Sequence, residues 1–282
     1  MAPLKFCANI SWLFTELPDF SQRILAAAAA GFQAVEAAWL YDSDLQELQR
    51  VRKATGVEVV LINTPPGDIK AGDLGLGAVP GREAEFREGL DLSVKYARAL
   101  DCKRIHLMAG RVPVDSDRAT VAKEMEAVFV QNLKYAADIL SKEGITGLIE
   151  PINTRITDPG YFLDSPHQAS AILEKVGKPN MKLQMDIFHW QIMDGNLTQN
   201  IQKYIPVIVL ELVGVTAWWL ELEPGNGHNA QKLDVQRELT YPADDMNLLW
   251  MCFAFKQQLQ RKRGPSGRLL HQHQILTVGC RK

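Results

Sequence analysis

Between residues 4 and 206 strand-like and helix-like stretches take strict turns, and this alternation most constrains what the chain can fold into. The strand-like runs are Leu4–Ser11, Ala34–Ala38, Val57–Ile62, Arg104–Met108, and two that end at Glu150 and Asp186. The helix-like stretches are Phe20–Ala30, closed by Gly31, and Leu45–Ala54, with Gly56 just beyond. Glu83–Leu100, Ala119–Lys142, a segment capped by Ser165 and running from Pro166 to Val176, and Leu197–Tyr204 follow. Short apolar runs alternating with amphipathic segments bury their surface as a parallel sheet covered by helices, joined by right-handed crossovers. Val57–Ile62 is β-branched enough to be covered on both faces. Six strand–helix units fit by residue 206, whereas a closed barrel takes eight. The expected class is α/β, a (β/α)8 TIM barrel incomplete or irregular over its last two units. Residues 4–206 would form the barrel domain, and 207–282 a divergent C-terminal segment, basic and disordered at its end.

Two of the runs carry an acid where the chain leaves the strand. Thr146-Gly147-Leu148-Ile149-Glu150 leads into Pro151-Ile152-Asn153, and Lys182-Leu183-Gln184-Met185-Asp186 leads into Ile187-Phe188-His189-Trp190. The two acids are 36 positions apart, which approximates one barrel repeat, about 31 residues when about 250 are shared by eight units. Catalytic groups of such barrels gather at the C-terminal strand ends, so Glu150 and Asp186 should converge. Hard carboxylate oxygens with one nearby nitrogen, from His189, suit Mg²⁺ or Mn²⁺ better than a softer metal. The plain alternative for Glu150 is a helix cap or a salt bridge. An acid between Leu148-Ile149 and Pro151 is nevertheless poorly placed for solvation. His189 and His106, the latter inside the fourth strand, could face the barrel mouth or fill the core. Arg111 and Arg155 lie just past strand ends, where a guanidinium fork could pair with a substrate carboxylate.

Composition narrows the function classes. With 31 Lys+Arg against 33 Asp+Glu the chain has a formal net charge of −2, which gives no global field for nucleic acid or an anionic membrane. Charged residues, Pro or Gly break every long apolar run, and Met1–Lys5 shows no secretory signal. Four scattered cysteines without a C-x-x-C pair read as a reduced, cytoplasmic protein. The Gly- and Pro-rich stretch from Asn63 to Arg82 is neither a phosphate-binding loop nor a dinucleotide fingerprint, so no nucleotide cofactor is expected. It would serve either as a lid over the barrel mouth or as a connector.

After Pro206 the texture changes. Val207–Val215 could be a seventh strand and Asn247–Gln260 a helix, but 218–245 shows no period. From Lys256 onward there are seven cations and no acids, a composition that more often stays solvated than packs.

Four phrases in order carry a resemblance: Leu61-Ile62-Asn63-Thr64-Pro65-Pro66-Gly67-Asp68, Gly75-Leu76-Gly77-Ala78-Val79-Pro80-Gly81-Arg82, Ile149-Glu150-Pro151-Ile152-Asn153 and Met185-Asp186-Ile187-Phe188-His189-Trp190-Gln191. Over residues 4–206 the chain resembles the hydroxypyruvate isomerases of the sugar isomerase/epimerase-like, xylose isomerase-like TIM-barrel superfamily. The resemblance implies an aldose–ketose type isomerase that interconverts hydroxypyruvate and 2-hydroxy-3-oxopropanoate (tartronate semialdehyde) through an enediolate. It also implies roles: Glu150 as catalytic carboxylate and metal ligand, Asp186 as metal ligand and His189 as a substrate contact, while His106 and Arg155 remain candidate substrate contacts from their own positions alone. The implied partner is a small 2-oxo/hydroxy acid, with no nucleic acid and no membrane, and with homo-oligomer formation left open.

The same family supplies a further metal ligand in strand seven and a second glutamate at the end of strand eight. Here the corresponding region reads Val207-Ile208-Val209-Leu210-Glu211-Leu212 and then Trp218-Trp219-Leu220-Glu221, without the family phrases. So abrupt a break is the pattern of an alternative C-terminus, from a different exon or a shifted frame. The competing readings are therefore a catalytically inactive truncated isoform and a metal-dependent sugar epimerase. A phosphodiesterase on the same barrel would need a richer set of histidines than the six present, of which His228, His271 and His273 lie in the tail.

Overall fold

A computed structural model describes residues 5–212 and 276–279. The strands are β1 (Lys5–Asn9), β2 (Ala34–Ala37), β3 (Glu58–Asn63), β4 (Arg104–His106), β5 (Thr146–Ile149), β6 (Met181–Asp186), β7 (Ile208–Leu212) and β8 (Leu276–Gly279). Between them run α1 (Phe20–Ala29), α2 (Leu45–Thr55), α3 (Glu83–Ala99), α4 (Arg118–Lys142), α5 (Pro166–Val176), α6 (Ile187–Met193) and α7 (Leu197–Tyr204). The sheet order is β7-β6-β5-β4-β3-β2-β1-β8. Every neighbouring pair from β1 to β7 is parallel, and β8 joins β1 antiparallel, with Phe6 opposite Val278. At the two ends of this order, β7 and β8 come within 8 Å of each other, Cα to Cα. The result is an α/β barrel that departs from the regular pattern in its last part, as the sequence led us to expect.

Local chemistry explains where the helices start and stop. Asp44 caps α2 by accepting from the Gln46 and Glu47 N–H groups, and Gly56 ends it in the left-handed conformation that a side chain would strain. Ser165 caps α5 by accepting from Gln168, and Pro166 occupies the first helical position, where its missing N–H costs nothing. Replacing Ser165 with Ala should therefore lower stability by about 0.5–2 kcal/mol. An unchanged denaturation midpoint would show that the cap contributes nothing.

Buried residues line both faces of the strands. β2 is buried along its whole length, as parallel strands covered by helices should be. α4 turns Met125, Phe129, Asn132, Leu133, Ala136, Ala137 and Leu140 inward at helical spacing. Cys7 and Cys102 are buried free thiols. Among the described residues, no helix is long and apolar enough to cross a membrane. β7 matches the start of the seventh strand expected over Val207–Val215. The tail was given no strand, yet Leu276–Gly279 pairs with β1. The expected helix Asn247–Gln260, and Glu221, lie outside the described residues.

Candidate active site

The parallel strands deliver side chains to one end of the barrel. Glu150 follows β5 directly, Asp186 is the last residue of β6, and His106 is the last of β4. All three are buried, at 7%, 9% and 2% exposure. Asp186 also starts α6, because its Oδ1 accepts from the N–H groups of Phe188 (2.7 Å) and His189 (3.2 Å). That cap turns the chain into a helix whose first turn carries His189 back toward the two acids. Donor atoms of Glu150, Asp186 and His189 all lie within 4.8 Å of one another. Glu150 and Asp186, expected to converge, thus lie together, and His189 and His106, whose direction the sequence left open, stand beside them.

Electrostatics follow from this crowding. Burial raises the Glu150 pKa well above the ordinary carboxylate value, and the charges of Asp186 and then Glu36 raise it further. A hydrogen bond from Gln184 Nε2 to Glu150 Oε2, 2.6 Å, works the other way and favours the ionised form. His106 Nδ1 stands 3.6 Å from the same oxygen. Burial, with the neighbouring His189 adding to it, pushes the His106 pKa down to about 3. The two groups therefore meet as a neutral imidazole and a carboxyl group rather than as an ion pair. Neither ring nitrogen of His106 has a hydrogen-bond partner among the described residues. A buried polar group left so is costly unless a ligand completes it. Burial lowers the His189 pKa as well, against the pull of Asp186.

Two buried carboxylates that repel one another form a donor set that a hard divalent cation fits. His189 fits less well as a ligand, since an Nδ1 that accepts from Asn153 Nδ2 at 2.7 Å leaves the hydrogen of a neutral ring on Nε2. Glu150 and Asp186 are thus the residues that could hold an ion.

Three participants were not expected from the sequence. Glu36 on β2 is 3% exposed and accepts from Asn9 Nδ2 at 2.6 Å. It bears the mark that flagged Glu150, an acid inside a short apolar run, here Ala34-Val35-Glu36-Ala37. Gln184 and Asn153 gave no such local sign, because their roles depend on which side chains the fold brings beside them.

The arginines fall elsewhere. Arg111 is committed to structure: its Nε bonds Asp158 Oδ2 at 2.8 Å and its Nη1 bonds the Gly72 carbonyl at 2.7 Å. Arg155 is exposed on the loop after β5 and makes no hydrogen bond or ion pair among the described residues. The segment 63–82 is stapled down as a wall. Gly77 N–H donates to the Met108 carbonyl (3.0 Å), Ala78 N–H to Ala109 (2.7 Å), and Asn132 Nδ2 to Gly77 (2.8 Å). Glu211 is on β7, in the stretch where the family carries a further ligand.

An α/β barrel with acids gathered at the C-terminal ends of its parallel strands is the layout of a barrel enzyme. Residues 24–217 match the family described as xylose isomerase-like TIM barrel, and the chain belongs to it. A Danio rerio protein named "Putative hydroxypyruvate isomerase" is 71% identical over 207 residues, 73% of this chain and 75% of that protein. The 2-oxo-tetronate isomerase of Cupriavidus necator is 41% identical, over 75% of this chain and 79% of its own. Among solved structures, the AP endonuclease, family 2 from Brucella melitensis matches with a TM-score of 0.68 and 42% identity. That match covers 73% of this chain and 77% of the other. By this kinship the chain is an enzyme of the isomerase type.

Proposed function

We propose that the chain interconverts hydroxypyruvate and 2-hydroxy-3-oxopropanoate by moving a proton between adjacent carbons through an enediolate. The observation that carries this reading is the buried Glu150 carboxyl, held by Gln184 and crowded by Asp186, at the strand ends of a barrel related to isomerases. Ionised Glu150 takes a proton from the CH₂OH carbon. The electron pair left behind forms the C2–C3 double bond, and the former carbonyl oxygen takes the negative charge. Glu150 returns the proton to C2, and the hydroxyl proton passes from the C3 oxygen to the C2 oxygen. Atoms and charge balance without an oxidant or reductant. A carboxyl whose pKa burial raises above the ordinary carboxylate range holds a proton more readily between its removal and its return.

In this reading the buried His106 and His189 contact the substrate oxygens, and Arg155, exposed on the loop after β5, pairs with the substrate carboxylate. Glu150 and Asp186 are the pair that would hold Mg²⁺ or Mn²⁺, which when bound would stabilise negative charge on the substrate oxygens. Buried free Cys7 and Cys102 agree with a reducing compartment such as the cytoplasm.

One observation favours a second reading, a chain that keeps the site without turnover. The strand beside β1 is Leu276–Gly279, antiparallel and without an acid, where the family places its second glutamate. Incubating the whole chain with hydroxypyruvate in D₂O, with and without Mg²⁺ or Mn²⁺, decides between them. Proton NMR should show the aldehyde form appearing and deuterium entering at the reacting carbon. A folded sample that forms no product and exchanges no carbon-bound hydrogen would reject isomerisation and leave the second reading.

A further inference from the structure

Asn153 is fully buried, and its amide is oriented by what surrounds it. Its Oδ1 accepts from two backbone N–H groups, those of Ile156 and Thr157, each at 3.0 Å. The opposite end must therefore be the NH₂ group, which removes the usual ambiguity of a side-chain amide. That Nδ2 donates to Thr157 Oγ1 at 2.8 Å and faces His189 Nδ1 at 2.7 Å. The Asn153 backbone N–H points at the same nitrogen, at 3.4 Å. Two N–H groups aimed at His189 Nδ1 require a lone pair there. In a neutral imidazole the hydrogen must then sit on Nε2.

We propose that Asn153 is a positioning residue that locks His189 in the Nε2–H tautomer, so that His189 presents a hydrogen-bond donor to a substrate oxygen rather than acting as a base. The proposal deepens the isomerase reading and rests on it for the identity of that oxygen. The rest of the residue is built to match. His189 sits in the first turn of α6, its own N–H tied to Asp186 Oδ1. No hydrogen bond to its Nε2 is made among the described residues. A fixed N–H aimed where charge develops acts without reorganising during the reaction. A ring free to exchange tautomers would present a lone pair to that oxygen part of the time, and would repel it.

Asn153→Asp tests this with one atom exchanged. Its Oδ1 still accepts from Ile156 and Thr157, but a carboxylate oxygen replaces the NH₂ and now accepts from Nδ1. The whole chain, labelled with ¹⁵N-histidine, is examined by long-range proton–nitrogen NMR, with the His189 signals identified by their loss in His189→Gln. The wild type should show hydrogen on Nε2 and none on Nδ1, and Asn153→Asp the reverse. With hydroxypyruvate, kcat should fall by about 10²-fold in Asn153→Asp, the loss typical of one oxyanion donor, while KM changes far less. Hydrogen on Nδ1 in the wild type overturns the proposal even if Asn153→Asp fails to fold. A reversed tautomer with unchanged kcat overturns the positioning role. The spectrum needs no turnover, so an inactive chain would refute the isomerase reading without deciding the tautomer.

Discussion

Glu150→Gln is expected to remove isomerisation almost completely, with kcat reduced by about 10²–10⁴-fold, the usual contribution of a positioned acid–base group. The amide keeps the shape of the side chain and retains a carbonyl oxygen for Gln184 Nε2, which bonds Glu150 at 2.6 Å. It cannot take a proton from carbon. The same change removes a carboxylate that burial, Asp186 and Glu36 all disfavour in its charged form. The variant should therefore melt at or above the wild-type temperature, and this separates a chemical loss from a structural one. Calorimetric titration should also show weaker Mn²⁺ binding, since one of the two candidate oxygen donors is gone. Activity near wild type would remove Glu150 from the mechanism. Activity lost together with the fold would leave its chemistry unsupported.

Gly110→Ala should produce the largest loss of stability for the smallest change of mass. Gly110 has φ +99°, a conformation that side chains rarely adopt. A Cβ placed there would lie 2.3 Å from the carbonyl oxygen of Gly75. The obstacle is backbone, so no rotamer change relieves it. Backbone strain of about 1–3 kcal/mol and overpacking of about 1–3 kcal/mol together suggest a loss of about 2–6 kcal/mol. A domain has only about 5–15 kcal/mol of stability, so this is a large share. Gly75 bridges to Ala109, and Gly110 accepts from Phe162 N–H at 2.9 Å, so the strain falls on the wall beside the site. Urea denaturation measures it directly. A midpoint within error of wild type would mean that the wall yields freely.

Much of the barrel was legible because its signals are local. Asp44 with Gly56, and Ser165 with Pro166, bracket helices by rules that act within a few residues. Glu150 and Asp186 stood out because acids seldom follow apolar runs. α6 was missed because Asp186 both ends a strand and caps a helix of only seven residues, too short for a period to show. An Asp three positions before His189 was the available sign, and it was read as chemistry rather than as a cap. Glu36 carried a similar signature but sits inside its run, with Ala37 and Ala38 after it, rather than where the chain leaves the strand. β8 had no local signature, since its pairing with β1 depends on a partner at the other end of the chain. Asn153 and Gln184 became functional candidates only when the fold placed a histidine and a glutamate beside them.

The pairing of β1 with β8 also sets a timetable for biosynthesis. Strands β1 to β7 can zip in the order in which they leave the ribosome, each finding its neighbour already made. The outer edge of β1 has no such partner until Leu276–Gly279 arrives. At about 5–20 residues per second that edge waits roughly tens of seconds. During that time it is a row of unpaired N–H and C=O groups, open to other nascent chains. The open edge of β1, rather than any interior strand, is thus the place where a nascent chain of this protein is exposed to wrong pairing.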